Sequence, residues 1–345
     1  LKGGLGIATV AANAVFAAIT GISIASAAVF TRVAVPQMLR FGYTPRFAVG
    51  VVAGSSVLGM LIPPSLLMIL YGFLANQSVG AMFTAGIVPG LLLACAYSAG
   101  IIVMAYAFPS LVFVGRRGGD SSANDEPRMS APQMLLKLLP AALLIVICLG
   151  GIYVGAFTAT EAGAVGALLS LIVALVRRRL DRNKFWQVMV ETGHVTVSVS
   201  FLIICANIYT RMLAMSGTPQ FLVETMANAG LGVFGFIAIY VFIVLLLGTI
   251  IDSSSIMLIC LPLMLPIAET FQLDLIWFGV ITVVAVEIGL LTPPFGLSIY
   301  VIKSTLNDPR VGLGDIFRGT APFAAIMFVV LLLLIAFPRL SLVLL

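Results

Sequence analysis

Gly59-Met-Leu-Ile-Pro-Pro64 and Gly289-Leu-Leu-Thr-Pro-Pro294 contain the only two Pro-Pro pairs in the chain, and they stand 230 residues apart. The same offset superposes Ser23 on Ser253, Pro36 on Pro266, Phe41 on Phe271, Leu61 on Leu291 and Leu67 on Leu297. An ungapped series of this kind marks an internal repeat, which has to be recognised before any fold is assigned. Each pair interrupts an apolar stretch, 47–74 in the first copy and 276–302 in the second. Proline removes a backbone donor and clashes with the preceding turn, so each stretch reads as two half-helices joined by unwound backbone rather than as one kinked helix.

The surroundings of these breaks are lipid-like. Apolar residues make up 61% of the chain and charged residues 9%, too few solvated side chains to cover a water-soluble globule of 345 residues. Further apolar runs at 81–108, 135–153, 162–176, 195–213 and 321–337 approach or exceed the length of about 20 helical residues that a hydrocarbon core requires. Lipid satisfies no backbone hydrogen bonds, and the two-residue alternation of a barrel strand is missing, so the runs are expected to be helices. The expected fold is an all-α polytopic membrane protein.

Upstream of each break lies a second irregular element, Ile19-Thr-Gly-Ile-Ser-Ile-Ala-Ser26 and Leu247-Gly-Thr-Ile-Ile-Asp-Ser-Ser-Ser255. Small and hydroxyl residues between apolar arms too short to span a bilayer read as the tip of a re-entrant helical hairpin. Charge decides which irregular elements are tips. With tips near Thr20 and Asp252, every Lys and Arg except Arg211 and Arg339 falls on one side of the membrane, as the positive-inside rule demands. Placing the tips at the double prolines instead moves Arg32, Arg40 and Arg46 to the outside. The first hairpin then opens to the cytoplasm and the second to the opposite face, giving inverted repeats with broken transmembrane helices, an architecture of secondary transporters.

The chain divides accordingly. Residues 1–108 form the first repeat, with a hairpin tip near 17–23 and a break near 59–65. Residues 109–133 form a cytoplasmic linker and 134–230 the scaffold helices of the second repeat. Residues 231–345 complete that repeat, with a tip near 248–255, a break near 289–296 and a terminal helix. Symmetry implies that about 90 residues of first-repeat scaffold precede Leu1, which itself follows no signal-peptide pattern.

Other chemistry is disfavoured. Cys95, Cys148, Cys205 and Cys260 lie in apolar segments without metal-ligand or redox spacing. The net charge of +5 comes from short loops without aromatic interleaving, which excludes nucleic acid as the expected partner. His194, the only histidine, has no partner cluster, and no Gly-x-Ser-x-Gly element or Ser/His pair indicates an intramembrane hydrolase.

Read in order, Leu1-Lys-Gly-Gly-Leu, Ile19-Thr-Gly, Gly59-Met-Leu-Ile-Pro-Pro-Ser, Gly86-Ile-Val-Pro-Gly, Thr158-Ala-Thr-Glu-Ala, Gly248-Thr-Ile-Ile-Asp252, Glu287-Ile-Gly-Leu-Leu-Thr-Pro-Pro-Phe-Gly296 and the closing Pro338-Arg-Leu-Ser-Leu resemble the large membrane subunit of tripartite ATP-independent periplasmic (TRAP) transporters, the DctM-like family. The resemblance implies sodium-coupled uptake of an organic anion, usually a carboxylate, across a bacterial or archaeal cytoplasmic membrane by an elevator mechanism. Its partners would be a periplasmic binding protein that delivers the substrate and a small membrane subunit, separate or fused.

The resemblance also places one sodium ion, the co-transported Na+, at Ala17, Thr20, Gly59, Ile62 and Pro64, chiefly through backbone carbonyls. Symmetry puts a second at Gly248, Gly289, Thr292 and Phe295. Hard, weakly held cations suit carbonyl and hydroxyl oxygens, and unwound backbone supplies them. Ala17 stands where a serine is common and Ser26 where an aspartate is common, so the first site has lost a possible hydroxyl ligand.

The organic anion is expected between tips and breaks, where half-helix N-termini attract a carboxylate. Candidate contacts are Ser23, Ser55, Ser56, Ser65, Asp252, Ser253 and Ser254, with Ser255 beside them. Asp252 reads either as a functional intramembrane carboxylate or as a helix cap. Glu287 reads as a buttress of the second break, and Glu161 as the cap of a helix that follows Thr158. A proton-coupled transporter of the ion transporter superfamily, to which the DctM-like family belongs, is the alternative, with Asp252 and Glu287 as its titrating groups.

Overall fold

The computed structural model describes residues 2–114, 131–228, 230–308 and 311–345. Among them, regular structure is helical throughout, apart from one isolated bridge between Tyr43 and Phe113. α1 (Gly4–Thr20) and α2 (Ser23–Arg40) form a hairpin whose turn is only Gly21 and Ile22. α3 (Pro45–Ser56) and α4 (Leu58–Leu61) lead to the first double proline, and α5 (Leu66–Leu74) continues at an angle of 41°. Next come α6 (Val79–Ala107), α7 (Pro109–Val112), α8 (Ala131–Tyr153) and α9 (Ala159–Val176). α10 (Arg182–Ser216) and α11 (Thr218–Asn228) precede a second hairpin of α12 (Val233–Gly248) and α13 (Ser253–Thr270). α14 (Leu275–Leu291) and α15 (Leu297–Leu306) flank the second double proline, and α16 (Leu313–Ala336) and α17 (Arg339–Leu342) close the chain.

Five of these helices, α6, α9, α10, α13 and α16, are long and apolar enough to cross a membrane, and the bent pair of α3–α4 with α5 would make a sixth span. α10 overshoots the 195–213 run expected to cross. Its 35 residues extend over about 52 Å at 1.5 Å per residue, well beyond a hydrocarbon core of about 30 Å. The overshoot lies at the polar N-terminal part, where Asp181 caps the helix by accepting from Lys184 N at 2.8 Å.

Local chemistry explains most helix starts. Thr44 accepts from Phe47 N at 3.3 Å, with Pro45 in the first helical position of α3, where a missing N–H costs nothing. Ser78 caps α6 by accepting from Ala81 N, and Asp274 caps α14 by accepting from Ile276 N and Trp277 N, both at 2.9 Å. Thr158 and Glu161 form a reciprocal capping box at the start of α9, as expected for Glu161.

The start of the 109–133 segment packs onto the body through α7 and the two residues that follow it. Thr44 Oγ1 donates to Leu111 O at 2.6 Å, Val114 N donates to Gly42 O at 2.9 Å, and the Tyr43 and Phe113 rings meet at a tilt of 46° with centroids 4.9 Å apart. Leu111, Val112 and Phe113 are apolar, and Pro109 starts a helical turn. α8 begins at Ala131, before the expected boundary, and 115–130 lies outside the described residues.

α14 is the axis of the core: every residue from Trp277 to Leu291 is buried. α3 and α16 pack across one side of this body and α12 across another. Contacts at the two ends of the molecule fix the direction of each hairpin. At one end Lys2 lies over the Tyr106 ring at 5.5 Å and Arg46 pairs with Asp315 at 2.7 Å, so the open end of the first hairpin sits with the basic residues. At the other end Phe236 stacks on Phe271 and on Phe278, and Tyr71 donates to Leu275 O at 2.6 Å. The open end of the second hairpin therefore sits with the start of α14 and the end of α5.

Candidate functional site

Both helix breaks are met by a hairpin tip. In the first, α1 stops at Thr20 because Gly21 takes a positive φ of 62°, a region that glycine enters without the Cβ penalty. A side chain on Gly21 would stand 2.9 Å from Pro64 O. The backbone closes that approach with a hydrogen bond from Leu66 N to Gly21 O at 3.4 Å. Ser65 then starts α5: it accepts from Met68 N at 3.3 Å and donates to Met60 O at 2.6 Å, tying the two half-helices together across the prolines.

The second break repeats the arrangement with different residues. Gly296 N donates to Thr249 O at 3.2 Å, joining break to tip. Gly248 and Gly289 touch so closely that a Cβ on either would lie 2.6 Å from the other's Cα. Thr292 donates through its hydroxyl to Gly289 O at 2.8 Å and through its N–H to the same oxygen at 3.0 Å. Both Pro-Pro bonds, Pro63-Pro64 and Pro293-Pro294, are cis.

The expected sodium residues thus fall at two tip-and-break junctions. Ile62 and Pro64 lie in the first break, and Gly59 precedes it in α4, which packs against α1. Thr20 ends α1, and its hydroxyl bonds Phe16 O at 3.2 Å and lies 3.4 Å from Ser26 Oγ. Ala17 belongs to the last turn of α1, where carbonyls lack helical partners, while its side chain lies outside the described ones. At the second junction Gly248, Gly289 and Thr292 are in contact, whereas the Phe295 side chain is 50% exposed.

The expected substrate contacts are more dispersed. Ser55 accepts from Asn13 Nδ2 at 2.8 Å, Ser56 donates to Ala53 O at 2.8 Å, and both are fully buried. Asp252 caps α13, accepting from Ser254 N and Ser255 N at 3.1 Å through one oxygen and from the Ser255 hydroxyl at 2.5 Å through the other. A cavity of about 260 Å³ reaches Pro64 between α5, α6, α8 and α9, but Phe83, Leu149 and Ile152 make its lining apolar. Asn207, Arg211 and His194 are exposed on α10, and no group of three metal-binding side chains occurs among the described residues.

Two polar residues at the site were not singled out as ligands by the sequence. Asn13 is buried, with Oδ1 free of any hydrogen bond. Glu287 is 0% exposed and accepts from the Ser253 hydroxyl at 3.0 Å. A lone Asn inside an apolar helix carries no pattern that announces its partner 42 residues away.

Membrane-length helices, a bent helix pair and two tips bonded to interrupted backbone are the features of a multi-pass membrane protein. The family model described as "Tripartite ATP-independent periplasmic transporter, DctM component" matches residues 1–340, and the chain belongs to that family. It is 37% identical, over its whole length and 78% of the relative's, to the C4-dicarboxylate TRAP transporter large permease protein of Pseudomonas aeruginosa. A sialic acid TRAP transporter large permease of Vibrio cholerae is 30% identical over the whole chain and 78% of its own length. The isethionate TRAP transporter permease DctMQ of Oleidesulfovibrio alaskensis is 30% identical over 96% of this chain but only 51% of its own length. The protein is therefore the large permease component of a tripartite transporter and not an enzyme.

Proposed function

We propose that this permease imports an organic anion of the carboxylate class, driven by sodium, with two inverted hairpin-and-break units moving together as the mobile part of an elevator. The observation that carries the reading is the pair of junctions where Leu66 N meets Gly21 O and Gly296 N meets Thr249 O. Each gathers carbonyl and hydroxyl oxygens at a helix interruption, the chemistry that holds a hard monovalent cation without a full countercharge. The ends of the hairpins support inversion, since one opens beside Lys2 and the other beside Phe271 and Leu275. The first ion is assigned to Ala17, Thr20, Gly59, Ile62 and Pro64, and the second to Gly248, Gly289, Thr292 and Phe295.

Between the junctions, α2, α5, α13 and α15 begin, and their N-termini favour a carboxylate. A C4-dicarboxylate is the first substrate to test, because a relative covering the whole chain carries that name. The tripartite architecture implies a small membrane subunit and a periplasmic binding protein, and the smaller share covered of the isethionate permease fits a fused small subunit in that relative. The membrane is that of the bacterial cytoplasm.

The test is uptake of labelled dicarboxylate by the complete complex in proteoliposomes. A sodium gradient at equal pH should drive accumulation, and a proton gradient without sodium should not. Accumulation driven by protons alone would replace this reading with the proton-coupled one.

A further inference from the structure

Glu287 sits where the two repeats meet. It lies two residues before Gly289 in the wholly buried α14, and its own exposure is 0%. Ser253, the first residue of α13, donates to its Oε1 at 3.0 Å. Ser23, the first residue of α2, lies beside the same carboxyl. Ser23 Oγ and Glu287 Oε2 are both buried, and neither has a hydrogen-bond partner. A bond between them would satisfy both atoms at once. Burying either without a partner would carry a desolvation cost.

The two serines occupy equivalent places, 230 residues apart, each at the head of the second arm of a hairpin. The carboxyl has no such twin: position 57, its counterpart in the first repeat, is the buried Val57. One carboxyl thus lies at the heads of two helices, one from each hairpin. The groups that meet it are hydroxyls, at the positive N-terminal ends of two helices of 18 residues each, which suits an acceptor carboxyl. From α6, the buried Tyr97 hydroxyl, also without a partner, lies within electrostatic reach.

We propose that Glu287 is a positioning residue shared by both hairpins, fastening Ser23 of the first and Ser253 of the second to the second broken helix so that the two tips move as one body. The mechanical consequence depends only on these contacts. The transport consequence rests on the sodium-coupled function proposed above: ion capture at one tip then reports on the other.

Hydrogen exchange by mass spectrometry on the purified permease with its small subunit reads the mechanical part without any transport. Glu287→Val should speed exchange in both tip segments, 19–26 and 247–255, by about tenfold or more, from the loss of the Ser253 bond and of the acceptor beside Ser23. Glu287→Gln should stay within about threefold of the wild type, because its amide can accept from one serine and donate to the other. Faster exchange confined to 247–255, or a Gln variant as loose as the Val variant, would overturn the proposal. Should the Val variant fail to fold, Ser23→Ala and Ser253→Ala provide the same test: each must loosen the opposite tip as well as its own, and loosening of its own tip alone refutes the shared strut. A sodium titration of the same samples examines the other reading separately. Exchange that ignores sodium in the wild type counts against sodium coupling while leaving the strut result intact.

Discussion

The two helix breaks share a sequence pattern and differ in their surroundings. At the first, Pro63 and Ser65 are buried, and α6 lies so close over the end of α4 that a Cβ on Gly86 would stand 2.6 Å from Leu61 O. At the second, Pro293, Pro294 and Phe295 are all exposed, and the position equivalent to Gly86 is Ile316. The first break is thus covered by α6, apart from the apolar cavity that reaches Pro64, and the second is open at its surface. Backbone polar groups that cannot be sealed must face a cavity, an ion or another chain. The difference makes the first break the more sensitive to packing and the second the more sensitive to ligands.

The largest effect should come from filling the seal of the first break. Gly86→Val forces a branched side chain against Leu61 O and Met68, and overpacking of this kind costs about 1–3 kcal/mol or more. A thermal unfolding midpoint lowered by several degrees, with sharply reduced yield, is the expected outcome. A variant with unchanged stability would show that α6 does not seal the break. Ser65→Ala should come next, because it removes both the α5 cap and the bond to Met60 O, together about 1–2 kcal/mol. Urea unfolding monitored by tryptophan fluorescence checks this.

At the second break the same kinds of change should move ion binding more than stability. Thr292→Ala deletes the hydroxyl beside Gly289 O and should raise the sodium concentration for half-maximal uptake about tenfold, from the loss of one ligand, with a stability change below about 1 kcal/mol. Phe295→Ala should have the smallest effect, within about 0.5 kcal/mol in stability, because its ring is half exposed and its carbonyl is retained. A Phe295 variant that unfolds more readily than Gly86→Val would reverse the contrast between the breaks.

Much of this frame is legible in the sequence because it is local or periodic. The double prolines mark the breaks by removing donors, the hydroxyl clusters mark the tips, and Thr158 with Glu161 announces a capping box four residues long. Lys2, Arg40 and Arg46 mark the open end of the first hairpin. What stayed hidden depends on segments distant in sequence. The Ser253–Glu287 bond spans 34 residues and the Asn13–Ser55 bond 42, and neither follows from spacing within one helix. The opposite exposure of two nearly identical Pro-Pro elements is set by α6 crossing one of them, which only tertiary packing decides. The packing of residues 109–114 is not legible for the same reason: its partners, Gly42, Tyr43 and Thr44, lie in another turn.

Selective stabilisation by sodium tests the central claim most directly, because an ion that binds the native breaks and not the unfolded chain must raise the unfolding midpoint. The measurement is the unfolding midpoint of the purified permease complex in increasing sodium chloride, with potassium chloride holding ionic strength constant. Our account predicts a saturable rise with sodium that Thr292→Ala shifts to higher concentration. A midpoint that is the same in sodium and in potassium would contradict it.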